Sequence, residues 1–136
     1  MQKITITTRE QKQVIDLTKI LNDLFMKNNY PEGLAFLFLH HTSCAITVAD
    51  MDTDTDKDYL DAFAEIVPKL NYRHPHDPGH VGDHILSAAI GTSLTIPVQS
   101  ANMILGVNQK VVLFEFNGPK ERRITVSFIP LSDQMI

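Results

Sequence analysis

The sequence predicts a single α+β domain, a mostly antiparallel β-sandwich-like or barrel-like sheet with about three helices outside it. Three observations carry that prediction. Short apolar runs recur along the chain, most densely after residue 91, and the connections between the later ones are too short for crossover helices. Three other segments place apolar residues at helical intervals. The 136 residues, 43% hydrophobic and 21% charged, suit one domain (1–136) with one core, and no repeat, low-complexity tract or linker divides them.

The elements follow in order. Lys3–Thr7 alternates polar and apolar residues, the pattern of a half-buried strand. Thr8 and Gln11 have capping-box spacing, which predicts a helix starting there. Val14, Leu17, Ile20, Leu21, Leu24 and Phe25 make its apolar face, and Asn28–Pro31 closes it. Leu34–Leu39 is a continuous apolar run and reads as a central strand; Ala45–Val48 is a shorter one. An acidic stretch, Asp50–Asp58, leads into a second helix with Leu60, Phe63, Ala64 and Val67 as its stripe and Pro68 as its stop. Pro75, Pro78 and Gly79 make residues 71–79 a loop. A third helix follows over Val81–Ile90, ended by Gly91. Strands are then expected over Leu94–Val98, Met103–Leu105, Val111–Phe116 and Ile124–Ile129. Asn117–Gly118 is a hairpin signal between the last two. The tail from Leu131 is expected to be loosely held.

Composition narrows the function classes. A net charge of −4 without a basic stripe argues against duplex nucleic acid as a partner. The first residues are too short and polar for a signal peptide, and no apolar run approaches a membrane span of roughly 20 residues. The single cysteine, Cys44, fits a reducing compartment, so the cytoplasm is the expected location.

The chemistry-bearing residues concentrate in two places. His40 and His41 end the apolar strand, and His74, His76, His80 and His84 lie within eleven residues. Neutral imidazoles are ligands for zinc and related ions, so this cluster points to a metal or catalytic site. His80 and His84 are four apart and share a helix face if the helix starts early. His76, between Pro75 and Asp77, is expected to face solvent. Consecutive strand residues point opposite ways, so only one of His40 and His41 can face a given site. The same rule applies to Arg122 and Arg123, either of which would make forked contacts to a phosphate. Thr42 and Ser43 are candidate donors to an anion; Cys44 reads as a small buried hydrophobe rather than a nucleophile. Glu115, set among Val111–Phe116, must be paired, metal-bound or displayed at a surface. The acidic run fails the EF-hand test, having Thr55 where glycine is required and Asp61 in place of the final glutamate. It reads as an exposed helix N-terminus, with magnesium bound beside a diphosphate as the alternative.

His41–Thr47, Val67–Pro68, His84–Ile85 and Gly91–Leu94 together form a pattern. Ser93–Val98 adds to it, followed by Gly106, Gln109, Val111, Leu113, Glu115 and Phe116. Taken together these residues resemble the YjbQ family, also named secondary thiamine-phosphate synthases, over nearly the whole chain. The chain departs from that family's pattern at Asn108, where tryptophan is usual, at Ala101 for glycine, and at His80 for Asp or Asn. Leu86 stands for lysine, and Ala49–Asp52 differs as well.

The resemblance implies a β-sandwich-like fold, a homotrimer and a metal-associated site at His41, His74 and His84, with Glu115 as the matching acid. His80 is a local addition to that ligand set. It further implies transfer of an activated pyrimidine from its diphosphate to a thiazole phosphate, releasing pyrophosphate. In that expectation His41 and Glu115 are catalytic, and His41, His74, His80 and His84 hold a divalent metal. The metal is zinc, or magnesium where the substrate is a diphosphate. Thr42, Ser43, Arg122 and Arg123 bind phosphate. A metal-dependent hydrolase and a non-catalytic metal- or ligand-binding trimer are the alternatives. The expected partners are a small phosphorylated substrate and further copies of the chain, not nucleic acid or membrane.

Overall fold

The structure, a computed structural model, describes residues 1–75 and 77–132; His76 and residues 133–136 lie outside it. Among the described residues, eight strands and three α-helices are laid out in the order β1 (Gln2–Thr7), β2 (Gln13–Asp16), α1 (Thr18–Lys27), β3 (Gly33–Leu39), β4 (Cys44–Ala49), α2 (Thr55–Ile66), α3 (Val81–Ile90), β5 (Ser93–Gln99), β6 (Asn102–Met103), β7 (Lys110–Glu115) and β8 (Glu121–Pro130). They form a five-stranded sheet ordered β1-β8-β3-β5-β6 and a three-stranded sheet ordered β2-β7-β4. Every pairing is antiparallel. The two sheets curl into a half-barrel, in keeping with the expected α+β class. Among the described residues no helix is long and apolar enough to cross a membrane.

Strand alternation places the core. Ala35, Leu37 and Leu39 of β3, Ile124 and Val126 of β8, and Val111 and Leu113 of β7 meet between the sheets with Leu17, Leu21 and Phe25. On the other face of the small sheet, Val112, Phe114 and Phe116 form a second cluster with Phe63 of α2 and Leu86 of α3. The Phe63 ring meets Phe114 edge-on at 4.9 Å between centroids, the preferred aromatic geometry.

Two expectations are corrected. The helix does not begin at Thr8. Residues 13–16 form β2, paired in register with β7 (Val14 opposite Phe114, Ile15 opposite Leu113), and α1 starts only at Thr18. The Thr8 oxygen expected to cap that helix donates instead to Glu115 Oε1 at 2.8 Å and accepts the Lys120 N–H at 2.8 Å. Consecutive β-branched residues, Val14 and Ile15, suit the strand, and tertiary pairing overrides the local capping signal.

Asn117–Gly118 does not close a hairpin. β7 lies between β2 and β4, and β8 lies between β1 and β3, so neither has a free edge for the other. The turn instead carries the chain from one sheet to the other. A Cβ on Gly118 would lie 2.3 Å from the Glu10 carbonyl oxygen, so the corner requires glycine. The remaining late pair, β5 and β6, is antiparallel as expected. At the C-terminal end, the Leu131 N–H donates to the Glu32 carbonyl at 3.0 Å, so the chain is still held there.

Candidate functional site

Strand alternation at the ends of β7 and β8 creates the most enclosed polar group among the described residues. Glu115 follows Val111 and Leu113 on the inward face of β7, and Arg122 precedes Ile124 on the inward face of β8. They meet between the sheets, 0% and 2% exposed. Arg122 Nε donates to Glu115 Oε1 at 2.9 Å, and its Nη2 donates to Oε2. Thr8 Oγ1 and the Asn117 N–H donate to the same carboxylate. Burial pushes the Glu115 carboxyl up, but these hydrogen bonds outweigh it and hold the group below its ordinary value. The other contacts of Arg122 Nη2 run to the Ser43 carbonyl at 3.1 Å and hydroxyl at 2.9 Å. The pair therefore clamps the β3–β4 turn, which carries His41 and Thr42, onto the sheet junction.

That turn is one wall of a cleft of about 390 Å³; α3 is the other. Its lining includes His40, His41, Thr42, His84, Ser87 and Thr92. His41 Nε2 accepts the Arg123 N–H at 2.8 Å, which fixes the ring and requires a lone pair on that nitrogen. Burial, then the charges of Arg122 and Arg123, lower the His41 pKa, so the ring is held neutral. His84 Nδ1 donates to the Thr42 carbonyl at 2.7 Å, leaving Nε2 as its reactive nitrogen. The His74 ring stacks on His84 with centroids 5.0 Å apart, and His74 Nδ1 accepts the Asp77 N–H at 3.3 Å. Three of the residues expected to share one site, His41, His74 and His84, thus lie on or beside one cleft.

His80 is directed elsewhere. Its Nε2 is 3.0 Å from Asp77 Oδ2 and its Nδ1 is 3.3 Å from Asp83 Oδ2. Buried Asp83 also accepts from Lys12 Nζ at 2.9 Å, and Lys12 donates in addition to the Phe116 carbonyl at 2.7 Å. Asp83 and Lys12 are not legible as functional residues in the sequence, because neither belongs to a motif and they are 71 positions apart. His40 faces outward and is hydrogen-bonded through Nε2 to Thr125 Oγ1 at 2.6 Å. His76 lies outside the described residues.

Cys44 is fully buried and its thiol is pushed up to about 12, chiefly by desolvation, so it stays protonated and inert. Of the phosphate candidates, Thr42 lines the cleft, while Ser43 and Arg122 are buried and bonded to one another. The Arg123 side chain is exposed and forms no ion pair among the described residues. The acidic run is largely a solvated helix start, with Asp54 paired to Lys57 at 2.9 Å.

The described histidines do not by themselves assemble a metal centre within one chain. Among the described residues no group of three or more His, Cys, Asp or Glu is placed to hold an ion. Both His80 nitrogens face carboxylates and His41 Nε2 is occupied by a backbone N–H, which leaves His41 Nδ1 and His84 Nε2 as the ring nitrogens directed to a ligand.

The family model described as UPF0047 protein YjbQ-like matches residues 2–131. The chain belongs to the YjbQ-like UPF0047 family. A UPF0047 protein of Methanocaldococcus jannaschii is 27% identical over 128 residues, 93% of this chain and 92% of its own length. The UPF0047 protein YugU of Bacillus subtilis is 28% identical, over 90% of this chain and 93% of its own length. Among solved structures, a YjbQ/UPF0047 protein of Clostridium acetobutylicum superposes with a TM-score of 0.83 at 27% identity, covering 95% of this chain and all of that one. A conserved protein of Thermus thermophilus gives 0.84 at 26% identity, over 95% and 100% of the two chains. The YjbQ-like fold of the chain rests on these likenesses together.

Proposed function

We propose that the cleft between the β3–β4 turn and α3 is the active site of an enzyme acting on a small phosphorylated substrate. The reaction we assign to it is thiamine-phosphate formation from a pyrimidine diphosphate and a thiazole phosphate. The observation that carries this reading is the pair of oriented imidazoles. His41 and His84 each have one ring nitrogen fixed by backbone, and both line the same 390 Å³ cleft.

In this reaction the carbon–oxygen bond to the diphosphate breaks, and its electron pair leaves with pyrophosphate. The lone pair of the thiazole nitrogen forms the new carbon–nitrogen bond. Charge builds on the leaving oxygens, so catalysis needs cationic donors aimed there. His84 is directed at those oxygens through Nε2, and the Arg123 guanidinium, in the neighbouring pocket that shares His40 with the cleft, supplies a cationic donor. Neutral His41 orders the substrate through its Nδ1. Glu115 is assigned a positioning role instead of acid–base chemistry: it holds Arg122, which holds the turn. No step is routed through a metal.

The test supplies both substrates to the purified chain and follows thiamine phosphate and pyrophosphate together. Turnover in wild type, reduced by about 10²–10⁴ in His84→Asn, supports the reading, that being the usual worth of a positioned acid–base group. Folded wild type that makes neither product refutes it. Release of phosphate without the thiazole substrate would replace it with hydrolysis. One zinc or magnesium per chain, lost in His84→Ala, would move the chemistry onto a metal. The cytoplasmic location and the homotrimer belong to the same proposal; the second is read from the mass in solution.

A further inference from the structure

The outer face of the five-stranded sheet carries basic side chains of which the proposed reaction uses Arg123 alone. Alternation sends Lys3 of β1, and Arg123 and Thr125 of β8, to that face, and His40 joins them from the end of β3. The four side chains line a pocket of about 210 Å³ with no carboxylate among its lining residues. The register puts Lys3 opposite Thr125, and Thr5 opposite Arg123. Lys3 and Arg123 are therefore diagonal neighbours on one face, at a spacing of roughly 7–8 Å. Neither forms an ion pair among the described residues, although Glu121 lies only two positions from Arg123 on the same strand. Like charges in this arrangement repel, and a bound anion would relieve the repulsion. In a chain of net charge −4, that is a local reversal of sign.

We propose that Lys3, His40, Arg123 and Thr125 form a phosphoryl-binding site, built for a multiply charged anion such as a diphosphate. The donor set supports this class over a lone carboxylate. A planar guanidinium gives forked contacts to two oxygens, the ammonium a third direction, and the hydroxyl and imidazole two more. His40 and Thr125 are already hydrogen-bonded at 2.6 Å, so part of the site is organised before ligand arrives. The Phe38 ring meets His40 edge-on at 5.0 Å, which buttresses the imidazole. His40 also lines the histidine cleft, so the two cavities share a wall. A phosphoryl group here would hang its organic part toward His41 and His84. The proposal deepens the assignment of the histidine cleft as the active site and rests on it for the natural ligand, not for the existence of the anion site.

The test is calorimetric titration of the full chain with inorganic pyrophosphate, orthophosphate and citrate, without substrate or turnover. Wild type is expected to bind pyrophosphate more tightly than orthophosphate, and citrate least. Lys3→Gln and Arg123→Gln should each weaken pyrophosphate at least tenfold, with Lys19→Gln unchanged. Adding pyrophosphate should shift the His40 ring resonances. These variants replace exposed side chains, so unchanged melting temperatures confirm that binding alone is altered. Failure of pyrophosphate to bind, or binding indifferent to both Lys3→Gln and Arg123→Gln, overturns the proposal. If pyrophosphate binds as expected but no thiamine phosphate forms, the anion site stands and the assigned reaction falls. If wild type makes thiamine phosphate yet binds no pyrophosphate, the reaction stands and the anion site falls.

Discussion

Glu115 and Arg122 carry the largest single-residue consequences. Removing one member of a buried ion pair strands the other charge, at a cost of about 3–5 kcal/mol, whereas replacing both with apolar residues is often close to neutral. Urea unfolding should therefore show Arg122→Met far less stable than wild type, with Arg122→Met/Glu115→Leu recovering much of the loss. His41 makes a separate prediction. Its folded pKa lies below the ordinary 6.5, so between the two values the unfolded chain binds more protons. The stability contributed by neutral His41 is full above about pH 6.5 and falls as the pH drops through the lowered value. Glu115 loses its contribution further down, below its ordinary 4.5. Melting temperature against pH should show the upper limb in wild type and lose it in His41→Asn. Individual residues are partly legible in the sequence. Residue type and strand parity separate Arg122 from Arg123 and His40 from His41, but parity alone does not say which member faces the cleft. The pairing of Asp83 with Lys12 has no local signature at all.

Elements are legible where local and tertiary demands agree. β3, α3 and its end at Gly91 lie where the apolar pattern puts them, because each element's own periodicity matches the surface it packs on. Gly91 has φ 113° and ψ 165°, a conformation essentially confined to glycine, and open space around its Cβ position. Gly91→Ala should cost about 1–3 kcal/mol by backbone strain alone, read as a lower denaturation midpoint with unchanged slope. β2 escapes local reasoning because capping-box spacing is a short-range signal, while the partner that makes residues 13–16 a strand is β7, about a hundred positions away. Hydrogen exchange checks this: amides in 13–16 that bond to β7 should be protected like those of β4, whereas a frayed helix start would exchange fast. The Asn117–Gly118 corner differs from expectation for the same reason, since a turn motif does not reveal that both flanking strands already have partners.

For the whole molecule, fold class is the most legible property and mechanism the least. The α+β class, about three helices and mostly antiparallel pairing follow from run lengths and short connections, which are properties of the sequence itself. A site assembled from a turn, a helix and a strand corner depends on how those pieces close on one another. The histidine spacing finds the pieces but places His80 in the set, where Asp77 and Asp83 hold it away. A homotrimer, taken as part of the proposed function, predicts a solution mass near three times the 15.3 kDa chain by light scattering. The functional proposal turns on whether the cleft lined by His41 and His84 joins a pyrimidine diphosphate to a thiazole phosphate. The deciding measurement is thiamine phosphate formed per chain by wild type and by His84→Asn under identical conditions. Wild type should give product, matched one for one by pyrophosphate, with a loss of about a hundredfold or more in the variant. Equal product from both proteins, or none from folded wild type, would sink the proposal.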